Sequence, residues 1–238
     1  MVEPSSRFEE LKIPLPEPVH GIEQVSAVLG IPRWWPTGSR VGVVIAHGQG
    51  DSLADPLIEH LQRELTERRH LTLRFNFPFA EAGKRRPDAR PVLRRCYRAA
   101  LAILSRDPSS APARIFLGGM GLGGQVAAEL ASARIRSDGL FLLGYPLHPQ
   151  RKPDEAQPEQ LFRIVAPLLF CQGTRDPYCE LDALRRVLRS VGAPTNLLVV
   201  EDADRHFHVP RKSGRTPEDV HAEILAAMDG WIQKVLDS

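Results

Sequence analysis

Residues 115–127 of the chain read IFLGGMGLGGQVA, and this stretch decides how the rest of the sequence is interpreted. An apolar run stops at a cluster of glycines, and small apolar residues at helical spacing follow at once. Such an order predicts a strand, a tight turn and a helix, because glycines allow positive φ and close approach of strand and helix. Two kinds of functional loop use a turn of this type.

The first kind is a nucleophile elbow, whose pattern G-x-S-x-G places a reactive serine at the centre of the turn. Residues 119–123 (GMGLG) keep the two outer glycines, but the central residue is Gly121, which has no reactive atom. The second kind is a dinucleotide-binding turn, because Gly119, Gly121 and Gly124 also satisfy G-x-G-x-x-G. The surrounding sequence has to separate these two interpretations.

Length, charge and cysteine content limit the class of protein. A chain of 238 residues with a net charge of +2 fits one α/β domain, and its balanced charge predicts neither nucleic acid nor membrane as a partner. The three cysteines (Cys96, Cys171 and Cys179) show no C-x-x-C spacing, which predicts free thiols and no zinc site. Residues 1–16 lack the features of a signal peptide, and no apolar run reaches membrane-spanning length, so a cytoplasmic location is expected.

The hydrophobic pattern along the chain predicts the architecture. Residues 1–40 contain two strand-like pieces that predict an antiparallel N-terminal hairpin, and from residue 41 to 236 buried strands alternate with amphipathic helices. One α/β domain over 1–238 is therefore predicted, with 1–40 as N-terminal strands and 41–236 as the core. Its sheet is expected to be mostly parallel, with about seven or eight strands and helices on both faces.

In a parallel sheet the functional loops lie at the carboxyl ends of the strands. A dinucleotide turn belongs after an early strand, but residues 115–127 lie near the middle of the chain, and the next strand ends without an acidic residue at Gly144-Tyr145. An elbow requires an upstream His-Gly loop, an acid after a late strand and a histidine after the last strand. Those demands are met in order by His47-Gly48, Asp176 and residues 204–208 (DRHFH). The order of the loops favours the elbow.

Five longer motifs carry a family resemblance. They are residues 73–79 (LRFNFPF), 81–88 (EAGKRRPD), 143–149 (LGYPLHP), 172–177 (QGTRDP) and 209–216 (VPRKSGRT). In these motifs the chain resembles α/β-hydrolases, and among them small proteins similar to dienelactone hydrolases and to the hydrolase-like domain of a subunit of the NSL histone acetyltransferase complex. The resemblance runs from about Val41 to Trp231. It implies an α/β-hydrolase fold with the site of a carboxylic-ester hydrolase.

The elbow departs from the pattern of this family, which reads Gly-Gly-Lys-Ser-Met-Gly-Gly-Arg. The chain places Met120, Gly121, Leu122 and Gln125 at the lysine, serine, methionine and arginine positions. The nucleophilic serine is therefore replaced by Gly121.

The histidine loop departs as well. The family histidine lies in a pattern like Asp-His-Ser-Phe-Lys-Val-Pro, and counting back from Val209-Pro210 places Arg205 in its position and His206 one residue later. Only Asp176 clearly keeps its family identity. We expect this acid, at the end of a strand, to need a partner that Arg205 or His206 supplies.

These replacements favour binding over covalent hydrolysis, because glycine supplies no nucleophile. The amides of Leu122 and of Gln49 or Gly50 are the candidates for an oxyanion pocket, which can bind a carbonyl or carboxylate. The predicted ligand site consists of His47, Gly48, Gln49, Gly50, Met120 and Leu122, beside a degenerate triad of Asp176 and His206. The expected ligand is a small anionic or carbonyl-containing molecule, or a protein partner, and no cofactor or metal is expected.

Other interpretations stay open. An active hydrolase could use a water nucleophile with His206 as base, and a nucleotide-binding module is a distant alternative. Gly121 could equally be a tight-packing glycine, His47 a hydrogen-bonded structural histidine, and the pair His206 and His208 surface residues rather than metal ligands. The pair Trp34-Trp35 is interpreted as a packing or contact pair.

Overall fold

The computed structural model describes residues 6–34, 40–105 and 111–238. Residues 1–5 of the predicted N-terminal region, and Trp35 of the predicted packing pair, lie outside these ranges. The chain forms two compact units, Met1–Leu117 and Gly118–Ser238. The single domain over 1–238 stays a prediction.

Eight strands form one sheet. In chain order they are β1 (Arg7–Val19), β2 (Ile22–Ile31), β3 (Val41–Ala46), β4 (Leu71–Phe75), β5 (Arg114–Met120), β6 (Gly139–Leu143), β7 (Leu168–Gly173) and β8 (Thr195–Val200). Their order across the sheet is β1-β2-β4-β3-β5-β6-β7-β8. The pairs β1–β2 and β2–β4 are antiparallel, whereas β3–β4, β6–β7 and β7–β8 are parallel. The predicted mostly parallel sheet and the antiparallel N-terminal hairpin are confirmed.

Six α-helices alternate with these strands in the described residues. They are α1 (Pro56–Glu67), α2 (Pro78–Glu81), α3 (Arg90–Leu104), α4 (Leu122–Ser132), α5 (Leu181–Leu188) and α6 (Pro217–Leu236). The pairs Asp55-Pro56 and Thr216-Pro217 in the sequence predict two helix starts, and the structure confirms both. The Asp55 side chain caps α1, and Thr216 and Asp219 form a reciprocal capping box on α6.

The segment after β4 differs from the sequence prediction. The apolar run of residues 71–77 predicts a strand to Phe77, and the prolines and glycine after it predict a long loop, but β4 ends at Phe75 and the short helix α2 begins at Pro78. Proline has no N–H for a strand ladder, and its fixed φ suits the first position of a helix, so Pro78 ends one element and starts the other.

In the first unit, α2 is tied to the N-terminal hairpin through the Glu81 carboxylate. The carboxylate accepts hydrogen bonds from the Ser26 N–H (3.0 Å) and hydroxyl (2.7 Å), from Asn76 Nδ2 (2.9 Å) and from Lys12 Nζ (3.1 Å). Burial alone raises the pKa of this carboxyl, but the bonds from Asn76, Ser26 and Lys12 outweigh burial and lower the pKa from 4.5 to about 2. The charged carboxylate is thus the form that the folded unit stabilises.

We predict that this group contributes to the acid sensitivity of the protein. Since the pKa of Glu81 is lower in the folded than in the unfolded chain, its contribution is fully present above pH 4.5 and is lost as pH falls towards about 2. The variant Glu81→Gln is expected to lower the free energy of unfolding at neutral pH and to flatten its decline in that window, measured by urea unfolding at a series of pH values. Glu9→Gln, on the exposed face of β1, is the matched control. If the free energy of unfolding of Glu81→Gln falls between pH 4.5 and about 2 as steeply as that of wild type, the prediction is contradicted.

Candidate functional site

The predicted strand, turn and helix over residues 115–127 are confirmed. β5 ends at Met120, Gly121 caps the next helix with φ 51° and ψ −109°, and α4 starts at Leu122. The Gly121 N–H donates to the Leu143 carbonyl at the end of β6, over 2.8 Å. A positive φ with this ψ costs a residue with a side chain about 1–3 kcal/mol, and it is the sharp geometry on which a nucleophile elbow relies. The backbone of an elbow is present at Gly121 without the nucleophile.

The surroundings of Gly121 bear on whether it is a packing glycine. A Cβ built on Gly121 would have the Gly144 carbonyl oxygen, 4.0 Å away, as its nearest neighbour, whereas a Cβ on Gly124 would lie 2.8 Å from the Gly119 carbonyl oxygen. Steric crowding therefore demands glycine at position 124 but leaves room for a side chain at position 121. Only the backbone conformation of Gly121 favours glycine there.

The loop after β8 lies directly on the ends of β6 and β7. A Cβ on Gly144 would approach the Arg205 carbonyl oxygen to 2.5 Å, and a Cβ on Gly173 would collide with the carbonyl oxygens of Ala203 and Asp204. Because Gly144 is also the nearest neighbour of position 121, the segment with Arg205 lies beside the elbow. The structure thus brings three of the predicted loops together within the second unit.

Residues 203–208, called here the histidine loop, are held in one conformation by Asp204. Its Oδ1 accepts the backbone N–H groups of His206 (2.8 Å) and His208 (3.0 Å), and its own N–H donates to the His208 carbonyl (3.0 Å). Phe207 takes a positive φ of 64° and buries its ring, which anchors the loop in the interior. The loop therefore presents Arg205 and His206 on a fixed backbone.

Arg205 and His206 contact each other. Arg205 Nε donates to His206 Nε2 over 2.7 Å, and the guanidinium lies over the Tyr178 ring, 5.3 Å from its centroid. Since His206 Nε2 is an acceptor, a neutral His206 carries its proton on Nδ1. The two terminal guanidinium nitrogens of Arg205 make no hydrogen bond to any residue that the structure describes.

Asp176 lies in the turn after β7, and two hydrogen bonds to its carboxylate come from residues other than Arg205 and His206. Gln172 Nε2 donates to Asp176 Oδ2 (2.6 Å), and the Tyr178 N–H donates to Oδ1 (2.8 Å). Burial raises the pKa of Asp176, opposed by these two bonds and by the positive charge of Arg205. The expected partner Arg205 acts on the acid through its charge, whereas the hydrogen bonds come from Gln172 and Tyr178.

Sequence reasoning missed Gln172 and Tyr178 as site residues. Gln172 is fully buried at the end of an apolar strand, four residues before Asp176, and Tyr178 follows two residues after the acid. A polar residue in an otherwise apolar buried run is the available signal, because such a residue has to find a hydrogen-bonding partner.

The predicted ligand residues of the elbow contribute little through their side chains. Met120 is almost completely buried, and Leu122 is 9 % exposed at the first position of α4. The backbone N–H at such a position has no partner within its helix, so the amide of Leu122 fits the predicted oxyanion role better than its side chain does.

In the first unit, the predicted ligand residue His47 lies after β3 and has no exposed surface. Its Nε2 accepts the Phe77 N–H (3.0 Å), so Nδ1 carries the proton and donates to the Gly48 carbonyl (2.8 Å). Burial lowers the pKa of His47 from 6.5 to about 4, which keeps the ring neutral at physiological pH. Both ring nitrogens are used, which favours the structural interpretation of His47. Of the other predicted ligand residues of this loop, Gly48 is buried, and Gln49 and Gly50 are exposed.

Within the described part of the chain, no group of three or more His, Cys, Asp or Glu side chains is arranged to hold a metal ion. His206 and His208 stack with ring centroids 5.9 Å apart. All three cysteines are free and buried, and burial raises the pKa of each thiol. In the same described residues, no helix is both long enough and apolar enough to cross a membrane.

The sheet, the elbow and the order of the loops define an α/β-hydrolase fold. Residues 39–233 match the family model described as an alpha/beta hydrolase domain, and the chain belongs to this family.

Solved structures show the same fold at low sequence identity. A dienelactone hydrolase from Anabaena variabilis has 19 % identity and a TM-score of 0.70, covering 94 % of this chain and 96 % of that one. The esterase domain of a Rhodothermus marinus protein has 16 % identity and a TM-score of 0.69, covering 96 % and 98 %. Est1E from Butyrivibrio proteoclasticus with ferulic acid bound has 15 % identity and a TM-score of 0.65, covering 92 % and 99 %.

The buried ring of His47 gives a second pH-dependent contribution to stability. Its pKa is lower in the folded chain, so the contribution is present above pH 6.5 and is lost as pH falls to about 4. Between about pH 7.5 and about pH 4.5, wild type is expected to lose on the order of 2–3 kcal/mol more unfolding free energy than His47→Phe, measured by urea unfolding. His208→Phe, an exposed histidine, serves as control. Equal losses in wild type and His47→Phe would contradict the structural role.

Gly121 and Gly144 both have positive φ but differ in the space around a Cβ, so alanine substitutions at the two positions can be compared directly. Gly121→Ala is expected to lower the free energy of unfolding by about 1–3 kcal/mol, because it adds backbone strain but meets no neighbour. Gly144→Ala adds the same kind of strain and also displaces the Arg205 carbonyl, so its loss should be larger by at least about 1 kcal/mol. Urea unfolding measures both values. Equal losses would show that the histidine loop is not packed against Gly144.

Proposed function

We propose that the protein is a non-hydrolytic member of its family that binds a small carboxylate beside the elbow. The observation that carries this proposal is the direct hydrogen bond between Arg205 and His206, next to an elbow whose central residue is Gly121. The proposal includes the cytoplasmic location expected from the sequence.

The absence of a nucleophile is one part of the argument. Acyl transfer through a triad requires a hydroxyl that attacks while a histidine removes its proton. Gly121 keeps the backbone of the elbow and has no such hydroxyl, and the free thiols of the chain are buried with raised pKa. No side chain at the centre of the elbow can form an acyl intermediate.

The state of the histidine is the second part. A base that activates water needs the lone pair of one ring nitrogen. In His206 the Nε2 lone pair already accepts the hydrogen bond from Arg205. This arrangement disfavours the alternative of a water nucleophile with His206 as base.

The chemistry of Arg205 indicates the class of ligand. Its guanidinium has two terminal nitrogens without a hydrogen bond to any described residue, and it is positioned by the Tyr178 ring and by His206. Guanidinium pairs favourably with carboxylate in a planar, bidentate geometry. The amide of Leu122 at the start of α4 supplies a second donor suited to an anion. Ferulic acid, which is bound in the structure of Est1E, is itself a carboxylic acid and is a suitable probe.

Isothermal titration calorimetry with ferulate and butyrate tests the proposal. Wild type is expected to bind one or both, and Arg205→Ala to weaken binding by about ten- to a hundredfold, since a hydrogen-bonded ion pair is lost. Arg175→Ala, which removes an exposed arginine from the neighbouring turn, is the control and should bind like wild type. Arg205→Ala that binds as tightly as wild type would contradict the assignment of the ligand to Arg205.

Hydrolysis of p-nitrophenyl butyrate tests the non-hydrolytic part separately. Wild type is expected to show no turnover above the uncatalysed rate, and activity should appear only in a variant with a restored nucleophile and base, Gly121→Ser combined with Arg205→His. Turnover by wild type that His206→Ala abolishes would instead establish the water-nucleophile alternative.

A further inference from the structure

A depression of about 270 Å³ in the second unit lies away from the candidate site. It is lined by two segments, 134–137 and 163–166, which lead into β6 and β7 respectively. These two strands are parallel, and the histidine loop lies at their carboxyl ends, beside Gly144 and Gly173. The depression is therefore at the opposite ends of the same strands, and it shares no residue with the elbow or the histidine loop.

The lining of this depression, called here the arginine pocket, carries charge of one sign. Three of its nine residues are arginines, Arg134, Arg136 and Arg163, and none of the nine is acidic. The guanidinium groups of Arg134 and Arg163 form no hydrogen bond or ion pair with any residue in the described part of the chain. Because like charges that line one small concave surface repel each other and attract the same counter-ion, such a cluster favours the binding of an anion.

The backbone at the end of α4 fixes the position of Arg134. The helix ends in a Schellman motif, in which the Arg134 N–H donates to the Ala131 carbonyl (2.9 Å) and the Ile135 N–H to the Leu130 carbonyl (3.1 Å). Arg134 has a φ of 62°, the left-handed conformation that glycine usually provides at this position. Its side chain is exposed and starts from a backbone that the helix cap holds in place.

Stabilisation of α4 does not account for the whole cluster. A cation at the end of a helix interacts favourably with the last carbonyl groups, and Arg134 is in that position. Arg163 comes instead from the short 3-10 helix Leu161–Arg163, ahead of β7, and lines the same pocket. The convergence of cations from two separate segments points to a ligand, because a helix cap needs only one of them.

We propose that the arginine pocket binds a small phosphomonoester. A phosphomonoester carries a charge of about −2 and three acceptor oxygens, and guanidinium groups pair with phosphate through parallel hydrogen bonds. Three arginines supply donors for three oxygens, whereas a carboxylate has only two oxygens and a single charge. Ser137 adds a hydroxyl to the same pocket. The volume of the pocket lies just below the lower bound of about 300 Å³ for ligand pockets, which favours a small molecule.

The rest of the lining indicates the group to which the phosphate is attached. Ile135, Ile164 and Val165 give the pocket an apolar part, and Val165 is 86 % exposed. An apolar side chain this exposed loses contact with water when a ligand covers it with an apolar group, which is favourable. An aryl or alkyl phosphate matches both parts of the pocket, whereas inorganic phosphate uses the arginines alone.

Isothermal titration calorimetry with phenyl phosphate tests the site. Wild type is expected to bind one equivalent, and Arg134→Ala and Arg163→Ala each to weaken binding by at least about tenfold, because each variant loses a charge-assisted hydrogen bond. Arg151→Ala removes an exposed arginine that also has a positive φ, so it is the matched control and should bind like wild type. Thermal melts establish that the variants are folded. No binding by wild type, or equal weakening in Arg134→Ala and Arg151→Ala, would overturn the proposal.

Arg205→Ala separates the arginine pocket from the candidate site. This variant should bind phenyl phosphate like wild type, because Arg205 lies at the other ends of the strands. If Arg205→Ala abolishes binding while Arg134→Ala and Arg163→Ala retain it, the phosphate occupies the elbow and the proposal is overturned.

Two further measurements test the class of ligand. Val165→Ala is expected to weaken binding of phenyl phosphate by about two- to tenfold and to leave binding of inorganic phosphate unchanged, because only apolar contact is removed. Equal effects on the two probes would overturn the assignment of an apolar group to the ligand. Vesicles that contain phosphatidic acid present the same phosphate from a membrane surface. Sedimentation of the protein with these vesicles, without binding of phenyl phosphate, would overturn the assignment of a small-molecule ligand.

Discussion

The candidate site depends on the direct packing of the histidine loop against two glycines. Gly144 directly follows β6 and Gly173 ends β7, and the carbonyls of residues 203–205 occupy the space in which their side chains would lie. Any side chain at either position would lift the loop away from the ends of the strands. The position of Arg205 over the Tyr178 ring is consistent with this constraint, because a loop held at the backbone leaves its side chains less freedom.

The proposed replacement of a triad histidine by Arg205 would change the electrostatics of the site. A histidine base has to exchange protons, whereas arginine carries a fixed charge. Asp176 is buried, and burial without compensation would favour its neutral form. The bonds from Gln172 and Tyr178, together with the charge of Arg205, oppose that effect without any proton transfer. The same guanidinium donates to His206, so one side chain both acts on the acid through its charge and occupies a ring nitrogen of the neighbouring histidine. A site of this kind is suited to holding an anion.

Much of the fold could be predicted from the sequence, because buried parallel strands are continuous apolar runs and their turns are marked by glycine and proline. The strand 41–46, the turn at Gly121 and the cap at Thr216 are local features, and the structure has all three where the residues indicated. The positions of Asp176 and Arg205 came from the order of motifs along the chain. The bonds from Gln172 to Asp176 and from Arg205 to His206 could not be predicted in this way. The bonded residues are only four and one positions apart, but which partner each side chain selects depends on its rotamer in the folded chain. The contact of the Arg205 carbonyl with Gly144 joins residues about 60 positions apart and has no local signal.

The edge strand β8 and the candidate site are neighbours along the chain, and this bears on how firmly Arg205 is held. β8 ends at Val200, and the histidine loop begins three residues later. Among the described residues, the strand that leads into the loop is held by β7 on one side only, so the opening of this edge costs fewer backbone hydrogen bonds than the opening of a central strand. A ligand that needs Arg205 in a fixed position would therefore, by linkage, also favour the closed edge.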